Sequence, residues 1–135
     1  MSAERNLQTL LRQMNPEMRD GIFVFSTLPA DSKIPDAIAP LLTFSEREGT
    51  TLVMRREDAD SIGQTWQFAS RLITLNVHSS LEAVGFLAAI ATRLADAGIS
   101  INAVSAFYHD HLFVPADRAN EALALLQGMS GPRSG

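Results

Sequence analysis

The sequence predicts an α+β protein made of two tandem ferredoxin-like units, each an antiparallel sheet covered by helices. Three observations predict it. From Arg71 onward the apolar pattern changes in the order strand, helix, strand, strand, helix, which is most of a βαββαβ unit. Residues 21–70 offer a degenerate copy of that order, with a proline-bearing stretch where the first helix belongs. The size and composition, 135 residues with 46% hydrophobic and 19% charged, suit a compact chain rather than a disordered one. The expected divisions are a helical brace over 1–20, a degenerate unit over 21–70, a second unit over 71–128, and a disordered tail over 129–135.

Leu7, Leu10, Leu11 and Met14 share one face of a short helix that Asn15-Pro16 stops. Ile22-Phe23-Val24-Phe25-Ser26-Thr27 is β-branched and aromatic enough for a strand buried on both faces. Pro29, Pro35 and Pro40 then forbid a long helix. Leu41–Arg47 and Thr50–Arg55 read as a hairpin about Glu48-Gly49, and Glu57-Asp58-Ala59-Asp60 as the acidic first turn of a brief helix ended by Gly63. Trp66-Gln67-Phe68 is a candidate short strand.

In the second half, Ile73, Leu75 and Val77 alternate with Thr74 and Asn76 as a half-buried strand does. Val84, Leu87, Ala88, Ala91, Leu94 and Ala95 repeat at helical spacing, with Ser79 and Glu82 as a capping box and Gly98 as the left-handed stop. Ile99, Ile101, Ala103 and Phe107 alternate along the next strand, Tyr108-His109-Asp110 turns the chain, and His111–Val114 returns before Pro115. Asp117 is expected to cap a last helix that buries Ala119, Ala122, Leu123 and Leu126 and ends at Gly128. No segment after Gly128 can supply the sixth element, so the second unit is one strand short.

Several function classes are excluded by composition. Eleven basic against fifteen acidic side chains give a net charge of -4, and no basic run is present to neutralise a line of phosphates, so nucleic acid is not an expected partner. The absence of cysteine removes disulfides, thiolate metal sites and a cysteine nucleophile. No stretch approaches the ~20 apolar residues of a membrane span, and Met1–Leu11 lacks the apolar run of a signal peptide, so a soluble cytoplasmic protein with no membrane partner is expected.

Val84-Gly85-Phe86-Leu87, then Ile90, Leu94 and Ala97-Gly98-Ile99-Ser100-Ile101, resemble the characteristic stretch of ACT domains, small regulatory modules that bind amino acids. Gly85 and Gly98 match the family's two glycines; Val84 stands where proline is usual and Ser100 where asparagine is usual. Together with Val77–Gly85, Tyr108–Pro115 and Glu48–Val53, the chain is similar to small bacterial proteins built of two ACT-like units and little else. The resemblance implies a ligand site between units. His78, Ser79, Ser80, Leu81, Glu82 and Gly85 would embrace an amino acid from one side, and Ile99 and Ser100 of a neighbouring unit would close it. It implies a homo-oligomer, expected to be a dimer, with no cofactor and no catalysis. Backbone N–H groups at a helix start do favour a carboxylate, and Glu82 suits an α-ammonium. The plainer alternative has Ser79 and Glu82 capping their own helix.

A reading from a different class rests on the histidines. His78, His109 and His111 all flank turns, and ferredoxin-like topology takes His78 toward the His109-Asp110-His111 turn. Three imidazoles and a carboxylate form a candidate metal or acid/base group for a small enzyme. No Gly-x-Ser-x-Gly or phosphate-binding loop accompanies it.

Overall fold

A computed structural model describes residues 3–130. In chain order its elements are α1 (Leu7–Gln13), β1 (Pro16–Met18), β2 (Phe23–Leu28), β3 (Leu42–Ser45), β4 (Thr50–Arg55), α2 (Arg56–Ser61), β5 (Gln67–Leu75), α3 (Phe86–Asp96), β6 (Asn102–Ser105), β7 (Asp110–Pro115) and α4 (Ala119–Met129). The chain divides into two compact units, Gly21–Ser70 and Met1–Asp20 with Arg71–Gly135. Each is an α+β ferredoxin-like unit with an antiparallel sheet.

In the 21–70 unit, β4 lies between β2 and β3, with Phe23 opposite Arg55 and Leu42 opposite Val53. The start of β5 takes the other edge of β2, giving the order β3-β4-β2-β5. Gly49 closes the β3–β4 hairpin in mutual backbone hydrogen bonds with Glu46. A Cβ at Gly49 would collide with the Leu28 carbonyl, so the turn admits no other residue. Val24, Leu52 and Met54 form the core with Ala59 of α2. The prolines exclude the first helix as expected, and Ile38 with Ile34 covers the cluster in its place.

In the other unit, the fourth strand among the described residues comes from the N-terminal segment. β1, a strand the hydrophobic pattern did not announce, pairs antiparallel with β5 from Pro16↔Leu75 to Met18↔Ile73. The order β1-β5-β7-β6 is that of a finished βαββαβ unit, its fourth strand coming from the beginning of the chain. α1 and β1 pack within this unit. Leu10 and Met14 are wholly buried in one cluster with Ile73, Leu75, Ile90 and Leu112. β5 serves both units, as the last strand of one and the first of the other, so Trp66-Gln67-Phe68 is not a separate strand but leads into it.

Several boundaries differ from the sequence expectation. α3 begins at Phe86 rather than Val84 and buries Phe86, Ile90 and Leu94, while Val84 lies exposed on the loop before it; the four alanines of α3 leave the phase of its apolar stripe open to more than one reading. Ile99 is buried in the turn closing α3, where its N–H bonds the Leu94 carbonyl, and Phe107 lies exposed at the β6–β7 tip, so β6 is only Asn102–Ser105. Asp117 sits in a 3-10 turn, Ala116–Arg118, instead of capping α4. α4 runs through Gly128 to Met129, one residue into the expected tail; residues 131–135 lie outside the described part.

Candidate functional site

The loop from Val77 to Gly85 joins β5 to α3, and several sets of contacts hold it. Glu4 forms a parallel bridge with it, its N–H donating to the His78 carbonyl at 2.8 Å and its carbonyl accepting from Ser80 N–H at 2.7 Å. The buried Ser79 hydroxyl donates to Asp110 Oδ2 at 3.1 Å, while Ser105 donates to Asp110 Oδ1. Ser80 turns the loop, its hydroxyl accepting from Glu82 N–H at 3.0 Å and its carbonyl from Ala83 N–H at 3.0 Å.

These bonds overturn the capping box. Ser79 faces β7, and Glu82 is exposed on the loop. Gly85 is the residue that starts α3, in the left-handed region at φ 92°, and no side chain caps the helix. The first helical bond runs from Ala89 N–H to the Gly85 carbonyl at 2.9 Å, leaving the N–H groups of Phe86, Leu87 and Ala88 without helix partners. Leu81 and Val84 are exposed beside this helix start.

Ile99 and Ser100 lie at the other end of α3. An 11-residue helix spans about 16 Å, so one chain does not bring them to Ser79–Gly85. Ile99 is buried and Ser100 exposed. Arg118, which belongs to no sequence motif, closes this end by donating to the Ala97 carbonyl at 2.9 Å while Glu121 holds its guanidinium.

The histidines gather at the β6–β7 end but are committed to separate partners. His109 Nδ1 donates to the Val77 carbonyl at 3.1 Å, His111 Nδ1 meets Thr74 Oγ1 at 3.0 Å, and the His78 ring packs 5.2 Å from that of Tyr108. With Asp110 held by two serines, the four do not converge. Among the described residues no group of three or more His, Cys, Asp and Glu could hold a metal ion. The enzyme reading loses its geometry. What the cluster retains is a titration: burial, then His109 and Arg19, lowers the His111 pKa against a weaker opposing pull from Asp110. A lowered histidine pKa means that the unfolded chain binds the proton more readily. Stability should therefore fall as pH drops through about 6.5 toward the native pKa and level off below it. Urea midpoints across that range should show the step, and His111→Gln should flatten it.

Sequence models of the ACT domain match this chain twice, over residues 2–71 and 67–128. The chain belongs to the ACT family, a family of regulatory ligand-binding domains. It is similar over 92% of its length, at 43% identity and a TM-score of 0.83, to a Vibrio cholerae protein of unknown function described as a possible transport protein, covering 95% of that chain. A second solved structure, from Agrobacterium tumefaciens, shares 17% identity and a TM-score of 0.74, with 85% of this chain and 87% of that one covered. The regulatory subunit of aspartate kinase from Thermus flavus has the same fold at 11% identity and a TM-score of 0.61, over 84% of this chain and 95% of the subunit. No curated protein matches. No helix among the described residues is long and apolar enough to cross a membrane.

Proposed function

We propose that this chain is a cytoplasmic sensor, not an enzyme, that binds an amino acid or close analogue at the start of α3. The observation that carries the reading is the helix start itself: Gly85 lacks a side chain, and no other side chain caps the N–H groups after it. A carboxylate would be taken by the backbone of Phe86–Ala88, with the exposed Glu82 facing the ammonium. Ser80, Leu81 and Gly85 would line the near side. His78 and the buried Ser79 would hold the loop in shape. Because Ile99 and Ser100 are about 16 Å away along α3, a second copy would supply them, so the ligand favours a homodimer through the better-formed pocket. The fold shared with an aspartate kinase regulatory subunit supports an amino acid as the ligand class.

Thermal-shift screening against amino acids and their analogues tests the reading. A true ligand at about 100 times its Kd stabilises by about 2.7 kcal/mol, a readily measured rise in Tm. If none raises the Tm at millimolar concentration, the reading fails. Gly85→Val should lower the starting stability by about 1–2 kcal/mol, since a branched residue at φ 92° is strained while the Leu7 methyl leaves its Cβ room at 3.7 Å. The variant should still melt cooperatively and should lose the ligand-induced shift. A full shift in Gly85→Val would move the pocket elsewhere.

A further inference from the structure

We propose that the 21–70 unit carries a binding site of its own, a cleft along β2 for a neutral, flat, amide-bearing ring of the nucleobase kind. The pairing of β2 with β5 breaks at this point. Phe23 stands opposite Ser70 but Phe25 opposite Gln67, so β5 has an extra residue, and Phe68 takes it up at φ 62°, a conformation bulky residues rarely adopt. Such bulges and backbone outliers concentrate beside binding sites because they re-aim side chains. Before the bulge two side-chain bonds tie the chain to β2, Ser26 Oγ donating to the Thr65 carbonyl at 2.7 Å and Gln64 Nε2 to the Thr27 carbonyl at 2.8 Å. A cleft of about 370 Å³ opens there, within the size range of small-molecule sites.

Its lining selects the ligand. Phe25 and Trp66 supply aromatic walls, and both are fixed: the Phe68 ring meets Phe25 edge-on at 5.8 Å, and the indole N–H of Trp66 donates to Asp60 Oδ1 at 2.9 Å. No Asp, Glu, Lys, Arg or His lines the cleft, so a carboxylate or ammonium entering it would lose water without gaining a counter-charge. The polar groups present are neutral. The carboxamide of Gln67 makes no hydrogen bond among the described residues, and it offers a donor beside an acceptor, the complement of a lactam edge. This site is independent of the residues proposed for the amino acid, which all lie in the other unit.

Trp66 is the only tryptophan in the chain, so its fluorescence reports on the cleft directly. Uracil and nicotinamide should each quench it saturably, and benzoate and free phenylalanine should not. Gln67→Leu alters an exposed side chain whose loss leaves the β5 backbone pairing intact. It should melt like the parent protein and bind the neutral probes about tenfold more weakly, the scale of one lost hydrogen bond. Gly85→Val should bind them unchanged. The proposal is overturned if neither neutral probe gives a saturable change, if the charged probes bind equally well, or if Gln67→Leu binds like the parent.

Discussion

Deleting residues 1–18 should abolish cooperative folding of the unit that contains α3 and α4. The deletion removes Leu10 and Met14, which have no exposed surface, and with them the apolar support of Leu7, Leu11 and Met18 around the same cluster. Truncating one such buried side chain typically costs about 2–5 kcal/mol, and a whole domain holds only about 5–15 kcal/mol. Loss of β1 also bares the edge of β5 along Ile73–Leu75, leaving unpaired backbone groups on an apolar strand that invites association. The expected result is a poorly soluble product with most of the α3 and α4 far-ultraviolet circular dichroism gone. Leu10→Ala gives the graded form of the test, a loss of about 3 kcal/mol in urea unfolding. A truncated chain that keeps a sharp transition and its helical signal would show that the N-terminus merely braces a unit complete without it.

That dependence explains what could and could not be read from residues alone. α1 and α4 follow from a local period of about 3.6, β2 from its β-branched and aromatic content, and the β3–β4 hairpin from Glu48-Gly49, and there the sequence and the structure agree. β1 has no period to read. Three residues beginning with a proline become a strand only because β5, more than fifty positions later, presents an edge to them. The strand that the sequence pattern does not place after Gly128 comes from long-range pairing that no local window contains. β5 failed for a related reason. It is apolar on alternate sides at its end, but its beginning contains the bulge at Phe68, where alternation breaks down.

In the β5–α3 loop, competition for hydrogen bonds decides which residue starts the helix. Ser79 and Glu82 have the spacing of a capping box, and a hydroxyl will cap a helix when nothing better is within reach. Here Asp110, thirty-one positions away, takes the Ser79 hydroxyl, and Glu4 takes the backbone on either side of it. The helix start then falls to Gly85, which the matched glycine of the ACT pattern had marked and the capping pattern had not. Arg118, which closes the far end of α3, carried no sequence signal, since its contacts join two helix ends distant in the chain.

Asp110→Ala should be the most damaging single polar substitution near this loop, lowering stability by about 2–3 kcal/mol. The carboxylate is buried, with 6% of its residue surface exposed, and it joins three segments: the β5–α3 loop through Ser79, the end of β6 through Ser105, and its own place at the start of β7. Hydrogen bonds to a charged acceptor contribute about 1.5–3 kcal/mol each, and relief from burying the charge offsets part of the two that are lost. Alanine leaves the buried Ser79 hydroxyl without its acceptor, whereas Asp110→Asn keeps the shape and one carbonyl oxygen and should cost about 1 kcal/mol. Urea unfolding of the three proteins should give that order. The same order should appear in amino acid affinity if Asp110 positions the loop that binds, because a loosened Ser79 frees the segment leading to Gly85. Equal stability of Asp110→Ala and the parent would remove Asp110 from this role, and unchanged affinity in a destabilised variant would separate the stability of the loop from its part in binding.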